Sequence, residues 1–341
     1  MKKLQITADR KSEILIDVDY FESIVGISKK HNQVLLIISS KMAKLVKLKN
    51  IKNVYLLTVP DGEIQKDFKS LQKIWLELGK RNFSRTDAII GVGGGATTDL
   101  AGFAAASWLR GITWYAIPTS LAAMVDASIG GKTAINSPAG KNLIGAFFSP
   151  AAVYIDLQFL KTLPKRDLSA GMAEVIKCGF ISDKKILDLV QKDVLDFKEI
   201  IFRSIQVKVK VVNKDFKESK LREILNYGHT LGHAIEKHSK YRLRHGEAVS
   251  IGLVFAAELS KLAGDLPESV AEQHRAILSS FNLPTTYSRS ALPGLIKLMM
   301  SDKKVKNQRI RFIGLSRVGK PQWLESINTK QIETAYERIA K

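Results

Sequence analysis

Short apolar runs and amphipathic stretches alternate along the first half of the chain. VLLIIS at Val34–Ser39, VYLLTV at Val54–Val59, DAIIGVG at 87–93, TWYAIP at Thr113–Pro118 and VYIDL at 153–157 are continuous apolar runs of strand length. Runs of that kind predict strands buried on both faces. Between them, segments such as FKSLQKIWLELGKR at 68–81 place apolar residues at helical spacing. Strands alternating with helices predict an open parallel sheet covered on both faces. Beyond about residue 160 the strand signals fade. AGMAEVIKCGFI, KEIIFRSIQVKVKVV, ILNYGHTLGHAIEKH and EAVSIGLVFAAELSKLAG all carry helical periodicity. LPKRDL at 163–168 brings a proline and charges between the two regimes. The pattern predicts an α/β domain over 1–162 and a helical domain over 163–341, with no internal repeat or low-complexity segment.

Composition narrows the class. The 341 residues are room for two domains, and 45% hydrophobic with 25% charged residues excludes disordered and fibrous chains. The longest uncharged stretch in the middle of the chain, 111–125, contains Pro118 and is too brief to span a bilayer. The start is basic but no apolar core follows, so no secretory signal is expected. Cys178 is the single cysteine, which excludes a disulfide scaffold and a cysteine-rich zinc site. A soluble, cytoplasmic protein is expected. Lys and Arg (53) outnumber Asp and Glu (33), a net charge of +20. A field of that sign attracts nucleic acid, anionic membrane or small phosphorylated molecules. The cations are spread in dilute clusters at 41–52, 198–220 and 303–311, with no zinc-finger spacing or RNP-like aromatic motif. A small anionic substrate is therefore expected, and neither nucleic acid nor membrane as a partner.

Two constellations carry chemistry. DAIIGVGGGATTD at 87–99 reads as strand, glycine turn, helix. Glycines let the backbone approach a pyrophosphate, and the helix N-terminus offers N–H donors. Gly91, Gly93 and Ala96 fit the dinucleotide fingerprint loosely, but no acid lies ~20 residues on to hold a ribose. A nucleotide site is expected, though not the standard Rossmann one; a plain tight turn is the alternative. Four of the six histidines, His229, His233, His238 and His245, fall within 17 residues. His229 and His233 are four apart, on one helix face. Glu174, on an otherwise apolar helix, could add an oxygen. One carboxylate and two imidazoles with an open position is a catalytic zinc set. Spacing alone does not say which two histidines bind, and it equally allows a hydrogen-bonded histidine pair.

From about Asp61 to Leu315 the chain resembles the 3-dehydroquinate synthase family. The resemblance rests on DGEIQK, GVGGGATTDLAGFAAASWLRG, IPTSLAAMVDASIGGKTAIN, GKNLIGAF, AGMAEVIK, LNYGHTLGHAIE and HGEAVSIGL, in that order. It implies an N-terminal Rossmann-like NAD-binding α/β domain, an all-α metal-binding C-terminal domain, and a homodimer. The implied reaction, a step of the shikimate pathway, converts 3-deoxy-D-arabino-heptulosonate 7-phosphate to 3-dehydroquinate and phosphate. It proceeds by transient oxidation with NAD, phosphate elimination, re-reduction, ring opening and aldol closure.

The resemblance also assigns roles. Glu174, His229 and His245 would hold zinc or cobalt, and His233 would move protons, with Glu218 at an acid–base position. NAD contacts fall on Asp61, Gly62, Glu63, Lys66, Gly94, Gly95, Ala96, Thr97, Thr98, Asp99, Thr119, Ser120, Lys132, Lys141, Phe159, Leu160, Lys161 and Thr162. The substrate would meet Arg110, Asp126, Lys132, Asn142, Lys177, Lys208, Arg222, Asn226 and one of Lys303 and Lys304. By themselves some of these residues are bland: Arg110 reads as a helix C-terminal cation, Lys208 as part of a solvated alternation, and Glu218 as surface. Around Glu218 the chain departs from the family, with Phe216 for an acid and Lys220 for a glycine. Another NAD- and metal-dependent sugar-phosphate cyclase and a polyol dehydrogenase are the competing expectations; the latter would lack phosphate-binding cations and release NADH.

Overall fold

The structure is a computed structural model that describes residues 1–46, 51–263, 266–300 and 310–341. The chain divides into two units: Met1–Leu163 with Lys208–Lys217, and Pro164–Val207 with Glu218–Lys341. The 208–217 stretch thus groups with the first unit although it lies well beyond residue 162. No helix among the described residues is long and apolar enough to cross a membrane.

The first unit has strands β1 (Lys2–Thr7), β2 (Lys11–Ile16), β3 (Val34–Ser39), β4 (Val54–Val59), β5 (Ala88–Gly93), β6 (Thr113–Pro118), β7 (Lys132–Ser137), β8 (Gly140–Phe147) and β9 (Ala152–Ile155). Seven of them form one sheet in the order β1-β2-β9-β6-β5-β3-β4. All neighbours are parallel except β1, which pairs antiparallel with β2 at one edge. Every residue of β3 and β5 is buried, which is why these strands are continuous apolar runs. The chain leaves β3 toward β4 on one side and leaves β5 toward β6 on the other. The carboxyl ends of β3 and β5 therefore flank a topological switch point, where open α/β sheets bind ligands. The hairpin β7–β8 stands apart from the sheet. Neither it nor β1–β2 was foreseen from the sequence, because much of β8 is exposed and shows no buried alternation.

The second unit is built on helices. His245–Ala263 is buried along almost its whole length, and Lys165–Ile181, His229–His238 and Glu268–Ser280 each bury one side or more. The expectation of an all-α second domain needs one correction. Strands β10 (Phe312–Arg317) and β11 (Lys320–Leu324) pair as an antiparallel hairpin. Its two-residue connection uses Gly319 at φ +79°, a left-handed conformation that glycine adopts without a Cβ penalty. Buried Ser260 receives the hairpin, accepting a hydrogen bond from Leu315 N at 3.0 Å.

One titratable group lies in this unit's core. His274 is fully buried, its ring stacked on Phe180 at 3.4 Å, with Nδ1 donating to the Val270 carbonyl and Nε2 paired with the Tyr227 hydroxyl at 3.0 Å. Burial pushes its pKa down from 6.5 to about 4, so it folds neutral. A depressed histidine adds stability that is complete above the unfolded value near 6.5 and is lost as pH falls toward 4. Between pH 7 and 5 this one group should cost roughly 2 kcal/mol of unfolding free energy. In urea unfolding at the two pH values, His274→Gln should be less stable at pH 7 but lose less on acidification. An unchanged acid loss in the variant would remove His274 as its source.

Candidate active site

In the first unit the candidate residues gather at the carboxyl ends of the central strands. β5 ends at Gly93, and helix Gly95–Ser107 begins two residues later with Gly94 as its N-cap. A Cβ on Gly93 would collide with the Thr97 side chain, so only glycine allows so tight an entry. Gly94 supplies no side-chain cap, while the amides of Thr97 and Thr98 bond back to its carbonyl. The first amides, of Gly95 and Ala96, remain as donors for an anion. Thr119 N closes the neighbouring turn onto the Gly93 carbonyl at 2.9 Å, and Ser120 Oγ lies where a Cβ on Gly94 would point.

The motif after β4 supplies the acid that the glycine turn lacks. Gly62, at φ +72°, opens a short 3-10 turn carrying Glu63, whose carboxylate accepts from Asn136 Nδ2 at 2.8 Å and is otherwise exposed. Asp61 is tied to the backbone N–H of Lys41 at 2.8 Å. Lys66 is buried and donates both to Asp99, at 2.5 Å, and to the Asn142 amide oxygen. Burial pushes the Asp99 carboxyl up, and the Lys66 ammonium opposes it. Asn142, at φ +56°, is held by its own N–H on Asn136. Lys208 is buried too, donating to the Asp126 carboxylate at 2.6 Å and to its carbonyl. Arg110 and Lys132 are exposed, Arg110 at φ +64°, and Lys141 is partly buried. Phe159 packs its ring on Tyr20 at 5.1 Å, and Leu160, Lys161 and Thr162 complete that short helix nearer the surface.

In the second unit three helices meet at a carboxylate. Glu174 is 1% exposed on Lys165–Ile181, where residues 170–181 are all buried. Gly246 and Gly252 bring the other helices in. A Cβ on Gly246 would overlap the Ala170 carbonyl, and one on Gly252 would overlap the Gly228 carbonyl. Helix His245–Ala263 can therefore touch the backbone of both neighbours. His229 Nε2 then lies 3.4 Å and His245 Nε2 3.2 Å from the same Glu174 oxygen, with one donor atom from each residue within 4.8 Å of the others. Lys177, one turn on from Glu174, pairs with its carboxylate.

Each imidazole is oriented from behind. His229 Nδ1 donates to the Tyr227 carbonyl at 3.1 Å, and His245 Nδ1 faces Glu236 Oε2 at 3.0 Å. Burial opposes ionisation of Glu174, but Lys177 and His229 hold its pKa well below the carboxylate range. Burial, with Lys177 beside it, keeps His229 below 6.5. Burial also disfavours charge on His245, yet its two carboxylate partners hold it up at about 10. The donor set fits a divalent cation. Both Glu174 oxygens are buried without a hydrogen bond of proper geometry, and each ligand histidine turns its Nε2 inward.

Other expected residues take these places. His233 is exposed, its ring 5.3 Å from that of His229 and 5.9 Å from that of His245. Arg222 is 1% exposed on the turn Leu221–Asn226. Asn226 donates to Glu218 at 2.7 Å, with Glu218 at φ +59°. Around Glu218 the departures from the family have local partners: Phe216 packs on Phe147 at 5.5 Å, and Lys220 Nζ sits over the Trp323 ring at 5.7 Å. Lys303 and Lys304 lie outside the described residues. Sequence reasoning missed Glu236, although it falls three residues after His233 and seven after His229, on the same helix face.

The chain is similar to known proteins along most of its length. The 3-dehydroquinate synthase N-terminal family model matches residues 56–170, and the 3-dehydroquinate synthase C-terminal one matches 171–305. A 3-dehydroquinate synthase of Mycolicibacterium vanbaalenii is 52% identical over 293 residues, 84% of this chain and 82% of its own length. One from Paenarthrobacter aurescens is 54% identical over 290 residues, 83% and 80% of the two chains. Among solved structures, 2-deoxy-scyllo-inosose synthase complexed with carbaglucose-6-phosphate, NAD+ and Co2+ superposes with a TM-score of 0.83 at 26% identity, covering 99% of both chains. With matched models spanning most of its length and relatives at about half identity, the chain belongs to the 3-dehydroquinate synthase family.

Proposed function

We propose that the chain converts 3-deoxy-D-arabino-heptulosonate 7-phosphate to 3-dehydroquinate and phosphate, as a cytoplasmic homodimer using NAD and one divalent ion, zinc or cobalt. The observation that carries this reading is the convergence of Glu174, His229 and His245 on one buried point. The buried cations Lys177, Lys208 and Arg222 support it further. A phosphorylated sugar acid carries two anionic groups and needs cations to bind them. A polyol dehydrogenase has no such need. Identity of about half to 3-dehydroquinate synthases, against 26% to the 2-deoxy-scyllo-inosose synthase, favours the dehydroquinate reaction over that of another cyclase.

NAD would supply reversible hydride-transfer chemistry when bound, and a divalent ion, which Glu174, His229 and His245 would hold, would supply Lewis-acid polarisation of substrate oxygens. The remaining work falls on the chain. Gly94, Gly95, Ala96, Thr97 and Thr98 receive the pyrophosphate at the helix N-terminus. Asp61 and Glu63 hold the nucleoside side, and Asp99, fixed by Lys66, belongs to the pyrophosphate turn. Arg222, Lys177 and Lys208 bind the substrate's anionic groups, and Asn142, Asn226 and Asp126 its hydroxyls. His233, outside the ligand set and open to solvent, relays the hydroxyl proton. The C6 proton, acidified by the adjacent ketone, passes to the leaving phosphate, so the chain mainly positions groups and stabilises charge. Arg110, exposed on its strained turn, reaches the substrate phosphate of the neighbouring subunit.

Three outcomes test this. With catalytic NAD, phosphate release should greatly exceed the NAD supplied, with no NADH accumulating; stoichiometric NADH would identify a dehydrogenase instead. His229→Ala should lose the bound metal, whereas His233→Ala should retain it and lose turnover by about 100-fold or more. Equal metal loss would sink that division of roles. Mixing Arg110→Ala subunits with Lys132→Ala subunits should recover part of the activity, since a mixed dimer contains one site free of both changes. No recovery in demonstrably mixed dimers would argue against a shared site.

A further inference from the structure

The two ligand histidines are held very differently. The His229 side chain is 8% exposed, packed in the core and tied to a backbone carbonyl. The His245 side chain is 41% exposed, at the first residue of its helix, with the rings of His229 and His233 at 5.3 Å and 5.9 Å. What spans that ring is a pair of carboxylates: Glu174 faces Nε2 at 3.2 Å and Glu236 faces Nδ1 at 3.0 Å. Glu236 is 7% exposed, on the helix that carries His229 and His233.

We propose that Glu236 is the positioning residue of the metal site, fixing the tautomer and the ring angle of His245 through Nδ1 so that Nε2 is presented beside Glu174. The proposal rests on the metal reading above and assigns to this residue a task that the three ligands do not cover. Once an ion displaces the Nε2 proton, an imidazole that donates Nδ1–H to a carboxylate has its lone pair on Nε2, which is the coordinating form. The carboxylate also raises the basicity of that nitrogen. His229 needs no such partner because Tyr227 and the core already set its orientation. A second cation among His233, Glu236 and His245, whose donor atoms also cluster, conflicts with this arrangement. Nδ1 of His245 cannot both carry the proton donated to Glu236 and coordinate an ion.

The test uses the full chain, stripped of metal and titrated with zinc alone against a competing chelator. Glu236→Ala should weaken zinc binding by about 10- to 100-fold. Glu236→Gln, nearly isosteric and still able to accept from Nδ1–H, should recover part of that loss. Cobalt(II) loaded into Glu236→Ala should show altered visible absorption bands, as expected when one ligand is poorly oriented. Unchanged zinc affinity in Glu236→Ala would overturn the proposal. So would two zinc equivalents in the wild-type chain falling to one in the variant, the mark of a second ion. His229→Ala serves as the reference: if it too retained zinc, the ligand assignment itself would fail, a result separable from any effect at Glu236.

Discussion

A carboxylate with 1% of its surface exposed, on a helix whose neighbouring turns are apolar, is the condition that shapes the second unit. An isolated ionised group in such a place costs several kcal/mol even after relaxation. Glu174 nevertheless stays ionised, which requires positive or donor groups beside it. Lys177 comes from the next turn, but His229 and His245 must arrive on two other helices. Side chains of ordinary size would keep those helices 8–10 Å apart. The glycines at 246 and 252 remove the obstruction at the two crossing points, and the imidazoles reach the same oxygen. The site is thus a consequence of backbone approach first and of ligand chemistry second.

The first unit meets a similar demand by other means. Its sheet splits the chain's path at β3 and β5, leaving a crevice at their carboxyl ends with an uncapped helix N-terminus on one wall. An uncapped N-terminus favours a bound anion. The carboxylate of Asp99, one turn into that helix, would oppose such an anion if it stood alone. Lys66, buried beneath it at 2.5 Å, offsets its charge and ties the glycine turn to the motif after β4. Glu63 and Asn142 are then linked through Asn136, so three separate sequence motifs form one polar network.

The parallel sheet was legible because strands buried on both faces must be apolar throughout, and β3 and β5 are. The hairpins were not, since β8 mixes exposed and half-buried positions and follows neither period. Glu174 and the histidines stood out as polar residues in apolar or helical settings. Which histidines face Glu174 was not legible from spacing, because an i, i+4 rule selects His229 and His233, while the carboxylate is approached by His229 and His245. That choice depends on where helix His245–Ala263 crosses its neighbours, a tertiary fact set by two glycines. Glu236 was hidden for the same reason. Its helical stripe with His229 and His233 is visible, but its partner lies on another helix. Lys208 shows the opposite error: in QVKVKVV it looks solvated, yet it is buried against Asp126.

The same lysine bears on what the net charge of +20 does. Exposed lysines scattered over the surface act through a field that salt screens within about 10 Å at 0.1 M. They speed the arrival of an anion without choosing among anions. Lys177, Lys208 and Arg222 are between 1% and 6% exposed and are far less screened. Lys177 and Lys208 already hold carboxylates, from Glu174 and Asp126, so their charge is partly spent within the protein. Under the proposed function, an arriving phosphate or carboxylate would compete with those internal partners. These paired cations hold the chain's own carboxylates in place, while the surface surplus governs how quickly an anion is met.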